Sequence, residues 1–283
     1  RNKKKILAIS GMVALFLGVS IGYLGAINGW WSGGVGIPSD TMTRGLVGYW
    51  SMDEGRGTTT NDGSDNNNDG NFVSTTTSPA WTQGKQGSAL LFDGVDDYVS
   101  LPNNDSLQPV DAITVEAWIK TTTPANLAHQ SIFFDREHEV NMKGAYFYYY
   151  NGASNNTLRF IIRNGSASST LASATTLNDP NVWYYVVARW DGSETSLWIN
   201  GVRDANAGTL SGSIQYESTR NIKIGMWATA RYYKGLIDEV RVYNRALSAE
   251  EIRYHYNRGG PVGYWKFDEG ATSTAYDASG NSK

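Results

Sequence analysis

The sequence predicts an all-β protein, an antiparallel two-sheet sandwich preceded by a single long hydrophobic α-helix. Three observations carry that expectation. From Leu46 onward, short β-branched and aromatic runs alternate with Gly/Asn/Asp/Ser clusters, and helical periodicity is almost absent. Asn200-Gly201, directly after Leu197-Trp198-Ile199, is a strong two-residue hairpin signal, because such a turn asks for positive φ at both positions. Residues 6–27, by contrast, form one uncharged run of apolar and small side chains.

The helix comes first in the chain. At about 1.5 Å per residue a run of that length reaches roughly 33 Å, enough to cross the hydrocarbon core of a bilayer. Arg1, Lys3, Lys4 and Lys5 precede it and the next charge is Asp40, so the positive-inside tendency places the N-terminus in the cytoplasm and the rest outside. Trp30 and Trp31 fall where an interfacial aromatic belt would sit. The run exceeds the apolar stretch of a cleavable signal peptide, roughly 7–15 residues, so it is expected to stay. Ser10, Ala14, Gly18, Gly22 and Ala26 recur every fourth residue, and Gly18 with Gly22 makes a GxxxG pair that lets two backbones approach closely. Residues 1–28 are therefore expected to anchor the protein in a membrane and to pack against other copies. Residues 29–45, rich in Gly, Ser and Pro, form a linker.

Residues 46–258 form the domain. Candidate strands are Gly48–Ser51, Ala89–Phe92, Tyr98–Leu101, Ile113–Lys120, Ser131–Phe134, Ala145–Tyr150, Leu158–Arg163, Trp183–Trp190, Ser196–Ile199, Lys223–Met226 and Gly235–Tyr243. Ser248, with Glu251 three residues on, reads as the capped start of a short helix. Residues 259–283 then repeat the opening. Val47-Gly48-Tyr49-Trp50 recurs 215 positions later as Val262-Gly263-Tyr264-Trp265, and the same shift matches Asp53-Glu54-Gly55, Asp62, Ser64 and Asn66 to Asp268-Glu269-Gly270, Asp277, Ser279 and Asn281. That is the start of a second copy. Either the natural polypeptide continues beyond Lys283, or the tail adds a strand to another sheet.

Composition closes off several function classes. With 40% hydrophobic and 12% aromatic residues the chain can bury a large core. A net charge of −3, dispersed along the chain, argues against a nucleic-acid partner. The absence of cysteine excludes disulfides and Cys-based metal or redox sites, and it favours a bacterial or archaeal surface over an animal ectodomain.

Four segments carry a resemblance. Val47-Gly48-Tyr49-Trp50-Ser51-Met52-Asp53-Glu54-Gly55 resembles the opening strand of laminin-G-like, concanavalin A-type lectin/glucanase domains. Gly87–Gly94 followed by Asp96-Asp97-Tyr98-Val99, then Ile113–Lys120, then Gly235–Ser248, resemble that family's later motifs in order. The resemblance spans about Leu46–Arg258. It implies a jelly roll of two antiparallel sheets, a scaffold that hosts lectins, adhesion modules and hydrolases alike.

Three chemistries can then be weighed. Glycosidases of this resemblance usually carry Glu-x-Asp-x-x-Glu on one strand, and no such pattern occurs here. Asp238-Glu239 is the nearest pair of acids, and neighbours on a regular strand face opposite sides. No enzyme is expected. For calcium, Asp65-x-Asn67-x-Asp69-Gly70 supplies oxygen ligands at alternate positions but lacks the closing Glu, since Thr76 stands there. The resemblance adds Asp53 and Asp238 as candidates for a structural Ca2+. For a glycan or a surface protein, Tyr146, Tyr148, Tyr150, Trp227, Tyr232 and Tyr233 are candidate contact surfaces. In a strand Tyr146, Tyr148 and Tyr150 share one face while Phe147 and Tyr149 share the other. The expected protein is a non-enzymatic cell-surface structural or adhesive one, tethered or assembled in a pilus-like filament by its helix. A carbohydrate-binding lectin or adhesin is the alternative, and a glycan hydrolase a distant one.

Overall fold

The structure is a computed structural model, and it describes residues 40–75, 80–121, 128–135, 143–152, 155–216, 222–227 and 231–257. The expected helix over 6–27, with Ser10, Ala14, Gly18, Gly22 and Ala26, and the repeat fragment 259–283 lie outside these residues. Among the described residues no helix is long and apolar enough to cross a membrane.

Among the described residues eighteen strands, numbered along the chain, build two eight-stranded antiparallel sheets and a small ladder. The first sheet runs β14 (Val202–Thr209), β13 (Glu194–Ile199), β12 (Tyr184–Trp190), β7 (Ile113–Thr121), β18 (Lys234–Tyr243), β5 (Ser88–Asp93) and β4 (Ala80–Gln83), with β1 (Leu46–Trp50) also paired to β18. The second runs β11 (Ser168–Thr176), β10 (Asn155–Asn164), β9 (Lys143–Gly152), β8 (Ala128–Asp135), β15 (Ile222–Ile224), β6 (Tyr98–Leu101), β3 (Gly70–Val73) and β2 (Thr59–Thr60). The ladder pairs β16 (Met226–Trp227) with β17 (Arg231–Tyr232).

The core lies between the sheets and follows the strand period of two. Val115, Ala117 and Ile119 of β7 and Val186, Ala188 and Trp190 of β12 point in from the first sheet. Ala145, Phe147 and Tyr149 of β9 and Leu158, Phe160 and Ile162 of β10 meet them from the second. Burying each large apolar side chain contributes roughly 1.5–3 kcal/mol against leaving it exposed. Asn200 and Gly201 adopt φ 50° and 75°, so the β13–β14 hairpin has the turn that the sequence predicts.

Several strands escape the sequence pattern. β11 and β14 are edge strands made largely of Ser, Thr, Ala, Gly and Asn, with few large apolar positions to betray them. They are joined by Asp204, whose two carboxylate oxygens accept the backbone N–H groups of Ala174 (2.8 Å) and Thr175 (2.9 Å) across the seam. The strand expected at Lys223–Met226 stops at Ile224. Gly225 turns the chain with φ 87°, and a Cβ there would lie 2.5 Å from the Phe92 ring.

The one α-helix among the described residues, α1 (Ala249–Tyr256), opens with the expected capping box. Ser248 Oγ accepts from Glu251 N (3.2 Å) and Glu251 Oε2 accepts from Ser248 N (2.8 Å). Ile252, with Leu247 just ahead of the helix, packs onto Trp118, Tyr185, Val187, Trp198 and Tyr243, covering part of the outer face of the first sheet. The outer face of the second sheet carries a different group of side chains.

Candidate functional site

Alternation on β9 sends Tyr146, Tyr148 and Tyr150 to the outer face of the second sheet, as the sequence predicts. The β9–β10 register sets Tyr148 opposite Arg159 and Tyr146 opposite Ile161. On the other side of β9, His129 of β8 lies opposite Tyr150. The turn at Gly225 then carries Trp227 onto the same group. Its indole stacks on Tyr146 (centroids 6.1 Å apart) and meets Tyr148 (4.7 Å) and His129 (4.6 Å) edge to face. Such aromatic contacts add about 0.5–1.5 kcal/mol each beyond the area they bury.

Cations frame the rings. The Arg159 guanidinium carbon sits 4.0 Å from the Tyr150 ring centroid and that of Arg231 sits 5.3 Å from Trp227. Further along the face, Lys223 Nζ lies 4.7 Å from the Tyr98 ring, with Met226 Sδ 3.4 Å away. Burial lowers the Lys223 ammonium below the usual lysine range. Burial likewise raises the Tyr148 hydroxyl, which the neighbouring Arg159 partly offsets.

The expected contact residues divide. Tyr150 and Tyr232 keep partial exposure, whereas Tyr146 and Tyr148 are 2% exposed and Trp227 8%, so these three offer edges rather than open ring faces. Tyr233 belongs elsewhere. It is fully buried in the main core, edge-on to Phe92, and does not line this face. Sequence reasoning missed His129, Arg159 and Arg231 as partners of the rings. The alternation Arg159-Ile161-Arg163 on a predicted strand was the available signal for Arg159.

The acidic candidates lie apart from the rings. Asp238 Oδ2 accepts from Lys85 N (2.8 Å) and Gln86 N (3.0 Å), while Asp53 Oδ1 accepts from Ser88 N (2.7 Å). The two carboxylates thus hold one turn, between β4 and β5, from two different segments. Asp238 is pushed up to about 7, chiefly by burial, with the charges of Glu239 and Asp53 adding to it and the two backbone donors opposing. Its Oδ1 is buried without a hydrogen-bond partner. A hard divalent cation suits such an orphan carboxylate oxygen beside a second carboxylate.

At the half calcium loop the organising residue is Asp62. Its carboxylate accepts from Tyr49 N (2.8 Å), Ser64 N (2.9 Å), Ser64 Oγ (2.7 Å) and Asn68 N (2.8 Å). Asp69 Oδ1 accepts from Asp62 N (2.8 Å), and Asn67 turns the chain with φ 55° near Asp65. Those bonds make the segment an Asx-rich turn. Asp93, Asp96 and Asp97 form a further acidic group, with a ligand atom of each within 4.8 Å of the others. Asp96 accepts from Ser74 and Thr75, and Asp97 Oδ2 from Asp93 N (3.0 Å).

The expectation that Asp238 and Glu239 face opposite sides fails for a physical reason. β18 carries a bulge there, with Glu239 at φ 55°, so the regular alternation is interrupted. Glu239 accepts from the Tyr49 hydroxyl (3.0 Å) and pairs with Arg241, whose Nη1 also reaches Glu116 Oε1 (3.5 Å). Glu116 is fully buried and further accepts from the Tyr185 hydroxyl (2.7 Å), with His255 Nδ1 of α1 3.0 Å away. Burial alone would raise Glu116. His255, Arg241 and Tyr185 outweigh it and hold the carboxyl below its ordinary range. Glu239 and Glu116 are thus committed to protein partners.

Comparison with solved structures shows the same fold in binding domains. Domain 4 of AbnA, a GH43 extracellular arabinanase from Geobacillus stearothermophilus, solved with arabinotriose, superposes with a TM-score of 0.58 at 19% identity, covering 74% of this chain and 96% of that one. The binding domain of Paraclostridial Mosquitocidal Protein 1 gives a TM-score of 0.58 at 15% identity, over 76% of this chain and 52% of that one. The receptor binding domain of botulinum neurotoxin C/D mosaic serotype gives 0.58 at 13%, over 76% and 51%. This chain therefore spans about half of either toxin domain. No curated protein matches it in sequence. Residues 93–253, more than half of the chain, match the concanavalin A-like lectin/glucanases superfamily in its laminin G form, and the chain belongs to that family.

Proposed function

We propose that this chain is a non-enzymatic surface protein whose laminin-G-like domain binds carbohydrate on the outer face of the second sheet. One observation carries the reading. Tyr146, Tyr148, Tyr150, Trp227 and His129 cluster on that face with Arg159 and Arg231 at the rings. Aromatic surface takes the apolar face of a sugar, and a few fixed donors orient its hydroxyls. The arabinotriose in complex with domain 4 of the arabinanase supports it from outside, as a ligand of that protein on the same fold.

Two further elements complete the proposal. The run over residues 6–27, with its small-residue stripe, anchors the chain in a membrane and packs it against other copies, as in a pilus-like filament, so the domain is displayed outward. Calcium held by Asp53 and Asp238 has a structural role, fixing the β4–β5 turn, far in sequence from the aromatic strands.

The test is glycan binding by the full chain, followed by product analysis of any oligosaccharide it retains. Binding without cleavage, lost in Tyr150→Ala with an unchanged circular dichroism spectrum, is the expected result. Cleavage of the ligand would overturn the non-enzymatic reading. Binding that survives Tyr150→Ala and Trp227→Ala together would move the site off this face.

A further inference from the structure

The geometry points to an acidic oligosaccharide, one carrying carboxylate or sulfate groups, as the ligand of this face; the inference rests on the carbohydrate-binding reading above and narrows it. Three cations set it. Arg159, Lys223 and Arg231 are each partly buried on or beside the second sheet's outer surface. Their described neighbours are ring faces: Tyr150 for Arg159, Tyr98 for Lys223 and Trp227 for Arg231, with the Met226 thioether also beside Lys223. Among the described residues none of the three is ion-paired. Arg159 Nε, moreover, is buried without a hydrogen-bond partner.

Elsewhere in the domain the treatment of cations is the opposite. Arg44, Arg189, Arg203, Arg241 and Arg245 each lie within 3.5 Å of an Asp or Glu oxygen. The sequence is not short of carboxylates, yet β9, β10, β15, β16 and β17 contain none, and β8 has only Asp135 at its end, in register with Ile222 and not with Lys223. Asp96 adds to the burial that raises the Tyr232 hydroxyl, and its oxygens already accept from Ser74 and Thr75.

Half-buried cations without counter-charges lose hydration and recover little from ring faces, each worth about 0.5–2 kcal/mol. A carboxylate or sulfate recovers far more. Two guanidinium forks offer paired donors that match the planar or tetrahedral oxygens of such groups, and the partly desolvated setting strengthens the pairing. The partly exposed Tyr150, with the edges of Tyr146, Tyr148 and Trp227, meanwhile supplies the apolar contact for the sugar. A neutral sugar would use the rings and accept hydrogen bonds from the guanidinium forks, but it would leave the three charges uncompensated.

The experiment compares matched ligands on the full chain by isothermal titration calorimetry: oligogalacturonate against its methyl-esterified form, and a sulfated galactan fragment against its desulfated form. At least one acidic member should bind about tenfold or more tightly than its neutral partner in low salt, and the difference should shrink as salt is raised, because exposed charge pairs are screened. Arg159→Gln and Arg231→Gln should each reduce acidic affinity by about tenfold and neutral affinity by clearly less, with Arg159→Lys recovering part of the acidic loss. Near-ultraviolet circular dichroism reports whether each variant keeps its aromatic packing. Equal binding of both members of each pair, or binding of neutral members alone, overturns the acidic assignment and leaves the carbohydrate reading standing. Absence of binding to all of them, with retention on a broad glycan array only at sites insensitive to these substitutions, overturns both.

Discussion

The two outer faces of the sandwich use charge in opposite ways. On the first sheet, Glu116, Glu239, Arg241 and His255 are buried together, and α1 closes over them. On the second, Arg159, Lys223 and Arg231 sit against rings, with no carboxylate paired to them among the described residues. Both arrangements come from the same alternation of side chains on antiparallel strands. The difference teaches that a face closed by the protein's own counter-charges serves the fold, whereas a face whose cations find only π-systems is prepared for something from outside.

That contrast can be broken first at Glu116. Replacing Glu116 by Ala strips Arg241 and His255 of a shared partner inside the protein, a change expected to cost about 3–5 kcal/mol. Thermal denaturation should show a large fall in Tm, and Glu116→Gln, which keeps a hydrogen-bonding oxygen, a smaller one. A matching loss on substituting Arg231 by Gln would erase the distinction between the faces. The expected change there is within about 0.5 kcal/mol.

Acid titration sharpens it further. Glu116 is held low, so its contribution is present above its ordinary value of 4.5 and disappears as pH falls through its lower folded value. Asp238 runs the other way. Its carboxyl is raised to about 7, so the stability linked to it is present below its ordinary value of 3.8 and is lost as pH climbs through about 7. Asp238→Asn should therefore flatten the stability profile between about pH 4 and 7 and stabilise the chain at pH 8, by on the order of 1–4 kcal/mol. Added calcium should stabilise the parent chain at pH 8 and leave Asp238→Asn unchanged. An equal response of both would remove Asp238 from the proposed cation site.

The smallest expected effect concerns the lid of the closed face. Ser248→Ala removes one half of the capping box and should cost about 1 kcal/mol, read in urea denaturation. If α1 holds the first face closed, the same variant should speed exchange of the backbone amides around Trp118 and Tyr185 while those of β9 stay as slow as before.

Much of this was legible in the sequence, and the reasons for the rest are specific. Alternation gave the division of β9 into Tyr146, Tyr148 and Tyr150 on one side and Phe147 and Tyr149 on the other, because a strand buried on one face must repeat every two residues. The Asn200-Gly201 turn and the Ser248–Glu251 cap were readable from local chemistry alone. β11 and β14 were not, since edge strands of small polar residues carry no hydrophobic period. Nor was the bulge at Glu239, which is a property of how β18 fits against β1 and β7. Tyr233 was assigned to the surface on residue type, and the turn at Gly225 sends its chain into the core instead. The meeting of Trp227 with His129, nearly a hundred positions earlier, depends on topology and has no local sign.

The pairing of β1 with β18 has a consequence for biosynthesis. The first strand's partner is a strand some 190 positions downstream, joined through Tyr49 and Glu239. That late strand also sits in the middle of the first sheet, between β7 and β5. A chain emerging from the ribosome therefore exposes the halves of an incomplete sheet until β18 appears, and the interval lasts about ten to forty seconds at ordinary rates of elongation. During that time the apolar undersides of β5 and β7 are open to other chains. Export before folding, or a chaperone that shields unpaired strands, is the cellular service on which a domain closed by so late a strand depends.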